Sequence, residues 1–496
     1  NILEGSSGDY TDLGIARRFG GAAAAYSLRD IGAMNGKVVN VRREPHDDDN
    51  PGVTDETDFS ANQVQSGVLE DWVNGKLEST LPADVATAAA AYSLRKVKAS
   101  YSGDAVRIRR SSDDVEVDVA FDSDDKVSAS SAITNVSEED GEIGSTTATD
   151  LNGFLNETLT VGTAVNGTGS FPYDQFTANG NTGFDADNKG GGTSSAGFPY
   201  AFSTGDVFVI RFTVSNFDSE SSLSPGFRGT NGTNSVTGAT TGGSTFTANG
   251  TYTETHTATA NGTHMMCADG NTGSYTISDF QVVSHTHQAF VHTWYDQTGS
   301  NNAVQATDAN QPKIASSGAL LDGIKFSSAS DGTSATHLDI AAKLMDSTDG
   351  FMSSVINSVQ DMNQLGVIYG NRNNNSGFVF GLHSNEYPQV FFRQSSGANR
   401  LENTDFILSS SGKYLLSVDK DGTNDANLFG NAVSKDTDSS MNYITSTGST
   451  SKIGQGGNTV TSDANGLNAN INELIFYNSD QAANRFKIES NINNYY

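Results

Sequence analysis

The chain has 496 residues, of which 35% are hydrophobic and 52 are glycine, and its formal net charge is −29. That balance excludes nucleic acid as a partner, because a polyanion needs a basic face, and it disfavours an anionic membrane surface. No run approaches the roughly 18 apolar residues that insertion into a membrane requires, and the length suits about two to four domains, each with its own core.

Strand-like runs alternate with stretches of Gly, Asn, Ser and Thr, and long helical periodicity is scarce, so the chain reads as all-β or nearly so. Cys267 is the single cysteine, which rules out an intrachain disulfide. The chain begins at Asn1 with neither a start methionine nor a signal peptide, and the extent upstream is left open.

Residues 1–21 form a polar lead-in. The octapeptide AAAAYSLR follows at Ala22–Arg29 and recurs at Ala88–Arg95, each time leading to a basic strand, Val38–Arg43 and Ala105–Arg110. This is an internal repeat. Alanine, leucine and arginine are good helix formers, so each copy is expected to be a helix, closed by Gly32 and Gly36 or by Gly103, and then a strand. In the second copy Val106 and Ile108 point one way and Arg107 and Arg109 the other. VEVDVAF then returns with Glu116 and Asp118, which predicts a hairpin with complementary charges and a surface ladder of ion pairs.

The first copy departs from this pattern after Arg43. Glu44–Phe59 is expected to be a solvated acidic loop, since its carboxylates lack the spacing of an EF-hand calcium site. The segment from Phe59 to Leu77 predicts a short strand and a helix carrying Val68, Leu69, Trp72 and Val73. Residues 1–85 are therefore a truncated helix–strand repeat, too short to close a sandwich alone and suited to attachment or assembly.

Residues 156–287 are rich in Gly, Thr, Asn and Ser, and 146–287 read as a β-sandwich of their own. Its strand at Asp206–Phe217 puts Phe208, Ile210, Phe212 and Val214 on one face. Thr251–Thr259 alternates threonines with Tyr252, Glu254, His256 and Ala258, between Asn249-Gly250 and Asn261-Gly262 turns. Tyr275–Val283 supplies a last strand. Sequons such as Asn249-Gly250-Thr251 matter only in a eukaryotic secretory pathway.

His285 and His287 share a strand face and are the candidate metal ligands, with His292 nearby. One pair supplies two ligands, so a site needs a third group or a symmetry axis, and on sequence no metal is assigned. Thr293–Gln297 (TWYDQ) reads as a buried strand end and a turn, with Asp296 bonding to the backbone near Gly299. From Gly323 onward come further strands, among them GVIYG, GFVFGLHS, KYLLSVDKDG and NINELIFYN. Asp419–Asn427 has its glycine at the wrong place for a calcium loop and predicts a hairpin turn. Asn478 with Gln481 is expected to cap the last helix.

Together the stretch AAAAYSLRKVKASYSGDAVRIRRSSDDVEVDVAFDSD and Phe290–Ala315 (FVHTWYDQTGSNNAVQATDANQPKIA) resemble the catalytic-domain pattern of fungal-type α-L-arabinofuranosidase B. More closely, they resemble the cysteine-poor version of that pattern in structural proteins of tailed phages. The ending, Ile471–Tyr496, resembles the closing strand and helix of concanavalin A-like or laminin G-like jelly-roll domains. The strand order within 146–287 resembles small β-sandwich carbohydrate-binding modules on phage proteins. The resemblance spans 86–145 and 288–496, with an echo at 20–80.

It implies a mainly β fold, with a few short helices, one of them within TTATDLNGFLN, residues 146–156. A concanavalin A-like jelly-roll β-sandwich over 86–145 and 288–496 is interrupted by a smaller one over 146–287. The implied function is that of a non-enzymatic virion component, a fibre, collar or capsid-decorating protein that binds host-surface glycans. Its partners would be other virion proteins and copies of itself, with a trimer the first expectation. A particle assembled in a bacterial cytoplasm and then released accounts for β modules that work outside cells without disulfides. The alternative is an active arabinofuranosidase-like glycoside hydrolase. That family uses a glutamate nucleophile in a cysteine-lined pocket, whereas the nearest match, YGNRNNNSG at Tyr369–Gly377, has neither residue, so no catalytic residue is carried across. No cofactor is implied, and calcium lacks a supporting loop motif.

Overall fold

The computed structural model describes residues 37–43, 55–60, 81–137, 146–162, 165–166, 176–180, 182–187, 196–218, 227–228, 246–265, 274–299, 301–328, 335–360, 365–373, 376–394, 397–422, 425–439, 443, 445–448, 450–456 and 466–496. Its contacts divide the chain into two compact units, one of residues 1–87 with 481–496 and one of residues 88–480.

In the first unit, strand Lys37–Arg43 pairs antiparallel with Asp55–Ser60, placing Arg42 opposite Glu56 and Arg43 opposite Asp55. The end of the expected acidic loop, Asp55 to Phe59, is therefore strand. Alternating charges give Lys37–Arg43 a partner of opposite sign, as in the second copy of the repeat. A short helix, Pro82–Val85, packs against the closing helix Arg485–Tyr495. That helix groups here with the N-terminal residues, whereas the sequence places it in the sandwich. Its N-cap is Asn484 without a side-chain cap, and Gln481 contributes only its carbonyl to the N–H groups of Asn484 and Arg485. Asn478 does not cap it: its Oδ1 accepts the Met345 N–H at 3.2 Å. The first AAAAYSLR copy and the helix expected near Trp72 lie outside the described residues.

The second unit is a β-sandwich of jelly-roll type in which every strand pairing is antiparallel. At its centre Gly350–Asn357 runs between Lys413–Asp421 and Ala469–Tyr477, with all eight of its residues buried. The second AAAAYSLR copy is not a helix. Ala90–Ser93 is a strand whose residues pair with Phe476, Ile475, Leu474 and Glu473. Helix propensity differences of a few tenths of a kcal/mol per residue lose here to tertiary burial. Tyr92 is fully buried against Trp294 and Phe476, at ring separations of 5.9 and 6.2 Å, and the small alanines let the strands approach closely.

The charged hairpin forms, with Arg107 opposite Asp118 and Arg109 opposite Glu116, but it is not the expected surface ladder. The Arg107 and Arg109 side chains are only 16% and 8% exposed, and Arg109 pairs with Asp114 and Asp308 instead of Glu116. Arg107 binds both carboxylates, Glu116 at 2.7 Å and Asp118 at 3.1 Å. The helix expected near 151 is Leu151–Leu155, capped by the Asp150 carboxylate on the Gly153 N–H at 2.7 Å. Asp419–Asn427 is a hairpin turn, with Asp421 opposite Asp425 and Gly422 at φ +70°.

Residues 159–282 hold a second hydrophobic core, separate from that of the main sandwich. Phe208, Ile210, Phe212 and Val214 all point into it and are at most 1% exposed. Two sheets flank this core, one of five strands and one of four. Strand Val207–Ser215 is paired on one side with Gly250–Thr257 and on the other with Ser274–Thr286. Among the described residues, no helix is long and apolar enough to cross a membrane.

Candidate functional site

Where the insert joins the main sandwich, a buried polar centre replaces the apolar core. Strand pairing builds it: Phe208 stands opposite His285, so Asp206 and His287, each two residues on, share their face. The ligand atoms of Asp206, His285 and His287 lie within 4.8 Å of one another, and all three side chains are buried. The structure thus brings the two candidate histidines together and adds a third group. His292 lies apart from them and bonds to its neighbour Thr293.

The hydrogen bonds fix the tautomers. Tyr200 Oη accepts the Leu159 N–H at 3.2 Å and so donates to His285 Nδ1 at 2.9 Å. His285 Nε2–H then donates to Asp206 Oδ2 at 3.2 Å. Ser112 donates to His287 Nδ1 and His287 Nε2–H donates to the Glu157 carbonyl, both at 2.7 Å. Asp206 also accepts the N–H groups of Ser203 and Gln288, at 2.8 and 3.1 Å.

Burial, reinforced by Arg110, lowers both imidazoles to about 3, so they are neutral at physiological pH and the contact to Asp206 is a hydrogen bond rather than an ion pair. Burial likewise raises the Asp206 carboxyl to about 6, against the pull of His287, two backbone N–H groups and Arg110. Arg110 is fully buried and holds Asp113 and Glu157, each at 2.7 Å. Burial would raise Glu157, but hydrogen bonds from Thr146, Arg110 and Thr147 outweigh it and leave the group lowered.

Sequence reasoning missed Asp206, Tyr200 and Ser112. The one available signal was that Asp206 precedes the apolar strand by a single residue, and using it requires the strand register.

TWYDQ is core and turn, as expected. Asp296 Oδ1 accepts the N–H groups of Ala91 and Thr298, both at 2.9 Å, and Gln297 bonds to the backbone of Val97 and Arg95, both at 2.8 Å. In the Tyr369–Gly377 stretch, Tyr369 and Asn371 both donate to the Leu344 carbonyl, at 2.6 and 2.8 Å. These side chains hold a loop in place.

A second feature is the open face of the five-stranded sheet in the insert. The core-facing residues of Val207–Ser215 and Gly250–Thr257 leave Arg211, Thr251, Thr253 and Thr255 exposed on the other side. Thr253, Arg211 and Gln281 form a row across three strands, and Thr251, Thr213 and Ser278 form the next. Hydroxyl, amide and guanidinium groups therefore stand together on one face of the sheet, with Arg211, Thr251, Thr253 and Gln281 exposed.

No protein-family model matches the chain, and no curated protein matches it. Among solved structures, it is similar to a Ruminococcus gnavus IT-sialidase CBM40 bound to α2,6-sialyllactose, at 12% identity and TM-score 0.26 over 29% of this chain and 84% of that one. It is similar to a heptameric SAP-like pentraxin from Limulus polyphemus at 13% identity and TM-score 0.25, over 31% of this chain and 73% of that one. It is also similar to the binding domain of a botulinum neurotoxin in complex with rat synaptotagmin II, at 11% identity and TM-score 0.27, over 39% of this chain. The chain spans about half the length of that neurotoxin domain, 51%.

Proposed function

We propose that this chain is a non-enzymatic structural component of a tailed-phage particle, assembled as a homo-oligomer, whose inserted sandwich meets glycans through its open polar face. The carrying observation is the exposed rows of Thr251, Thr253, Arg211 and Gln281, which offer donors and acceptors at strand spacing to the hydroxyls of a sugar. Their exposure leaves these groups hydrated and exchangeable, which suits weak, multivalent recognition by an oligomer. The resemblance of Ala88–Asp124 and Phe290–Ala315 to the pattern in tailed-phage structural proteins supports the particle. The absence of a glutamate from Tyr369–Gly377 supports the non-enzymatic reading.

The test is a glycan array probed with the full chain and with the variant Arg211→Ala/Gln281→Ala, alongside light scattering. Binding by the full chain and its loss in an equally stable variant are expected, in an oligomer. A blank array or unchanged binding by the variant defeats the glycan reading. A strictly monomeric chain counts against the particle, and release of sugar from an arabinofuranoside chromogenic substrate would establish the enzymatic alternative.

A further inference from the structure

At the base of the insert a carboxylate is buried away from any matching cation. Arg110 is ion-paired with Asp113 and Glu157, whereas Asp206, fully buried, is met among the described residues by His285 Nε2 and by the N–H groups of Ser203 and Gln288, with no lysine or arginine within ion-pair distance. Buried charge of one sign is costly unless something of opposite sign accompanies it.

We infer that Asp206, His285 and His287 bind a divalent transition-metal ion of the zinc class, which accompanies the buried Asp206 carboxylate and ties the ends of strands Val207–Ser215 and Ser274–Thr286 together at the base of the insert. The distance from His285 Nε2 to Asp206 Oδ2 is 3.2 Å. Two ligands on a tetrahedral zinc, each about 2.0–2.1 Å from the ion, stand about 3.3 Å apart, so the ion fits between these atoms with little movement. Two imidazoles and one carboxylate are a donor set that zinc and its first-row neighbours favour over calcium or magnesium.

The surroundings are also those of a metal ligand. His287 keeps Nε2–H on the Glu157 carbonyl at 2.7 Å, the outer contact that orients a ligating histidine, and this leaves Nδ1 for the ion. Ser112, 2.7 Å from that Nδ1, turns its proton away and offers its oxygen or an adjoining water as the fourth ligand. On His285 the proton moves from Nε2 to Nδ1, where the Tyr200 oxygen accepts it in place of donating. The site is buried, so the ion reaches it through local opening of the folded chain, and its affinity appears as added stability.

The test uses the full chain without a histidine tag, freed of metal by chelation and dialysis, then titrated with Co2+ and afterwards Zn2+. One equivalent of Co2+ is expected to produce the visible absorption of a tetrahedral site, Zn2+ to displace it, and either ion to raise Tm. Asp206→Asn and His285→Gln should each weaken binding at least tenfold, whereas His292→Gln should leave it unchanged. A folded, metal-free chain that shows neither absorption nor a Tm shift with excess metal would overturn the proposal, and this reading needs no variant to fold. Unchanged stoichiometry in His285→Gln/His287→Gln would overturn it equally.

Discussion

The Asp296 carboxylate accepts the main-chain N–H of Ala91 at 2.9 Å, joining two motifs that stand 205 residues apart. The same oxygen accepts the N–H and hydroxyl of Thr298, and the other accepts the Asn301 N–H at 3.2 Å. One side chain thus closes the turn after the Trp294 strand and fixes the edge of Ala90–Ser93.

Asp296→Ala removes all of these acceptors at once and leaves the buried Ala91 N–H without a partner. A buried unsatisfied group costs about 1–3 kcal/mol, and the lost turn adds to it, so a loss of about 2–4 kcal/mol is expected. Urea unfolding measures it. A change within about 0.5 kcal/mol, the range of ordinary surface substitutions, would show that the carboxylate does not hold the two motifs together.

Arg95 and Glu473 form the other long-range lock, a two-pronged pair at 2.7 and 3.1 Å with side chains 5% and 1% exposed. Glu473→Ala takes the paired carboxylate from a buried guanidinium and should cost about 3–5 kcal/mol. Replacing both partners with apolar residues, Arg95→Met/Glu473→Leu, should cost less than Glu473→Ala alone, because no charge is left uncompensated. If the double variant unfolds at lower urea than the single one, the pair is stabilising in its own right.

The alternation of Phe208, Ile210, Phe212 and Val214 announces its strand, because a period of two on a half-buried sheet is visible without a partner. The central strand Gly350–Asn357 is buried on both faces, and Ser353 and Ser354 interrupt its apolar run, so neither alternation nor continuity marks it. The Ala-rich repeat misleads for the opposite reason: local propensity speaks for helix, and the partner that decides for strand, Ala469–Tyr477, lies some 380 residues away. The buried centre is legible only in its histidines. Asp206 reaches them through strand register, which no local pattern encodes.

Gly454 has φ +85°, and a Cβ there would lie 2.3 Å from the Phe326 ring and 2.9 Å from the Thr336 carbonyl. Gly454→Ala therefore combines left-handed strain of about 1–2 kcal/mol with overpacking of about 1–3 kcal/mol. A fall of about 2–5 kcal/mol in the unfolding free energy is expected, with the slope against urea unchanged. An alanine variant as stable as the parent would mean that the Phe326 ring moves aside freely.

Lys420 gives stability a distinctive pH dependence. Its ammonium is buried 3.9 Å from the Tyr443 ring centre, donating to the carbonyls of Met345 and Ser347. Burial lowers it from 10.5 to about 7, against the opposing pull of Asp346 and Asp349. Between those two values the unfolded chain holds a proton that the folded chain has released, so stability rises with pH across that window. The slope approaches about 1.4 kcal/mol per pH unit for one group. Above pH 9 the burial that raises Tyr443 works the other way, so pH 7 to 9 is the range to compare. Urea midpoints of the parent chain should climb across that range relative to those of Lys420→Met, which has no proton to lose there. Parallel curves for the two proteins would mean that Lys420 keeps its ordinary ionisation in the folded state, with its charge balanced by Asp346 and Asp349.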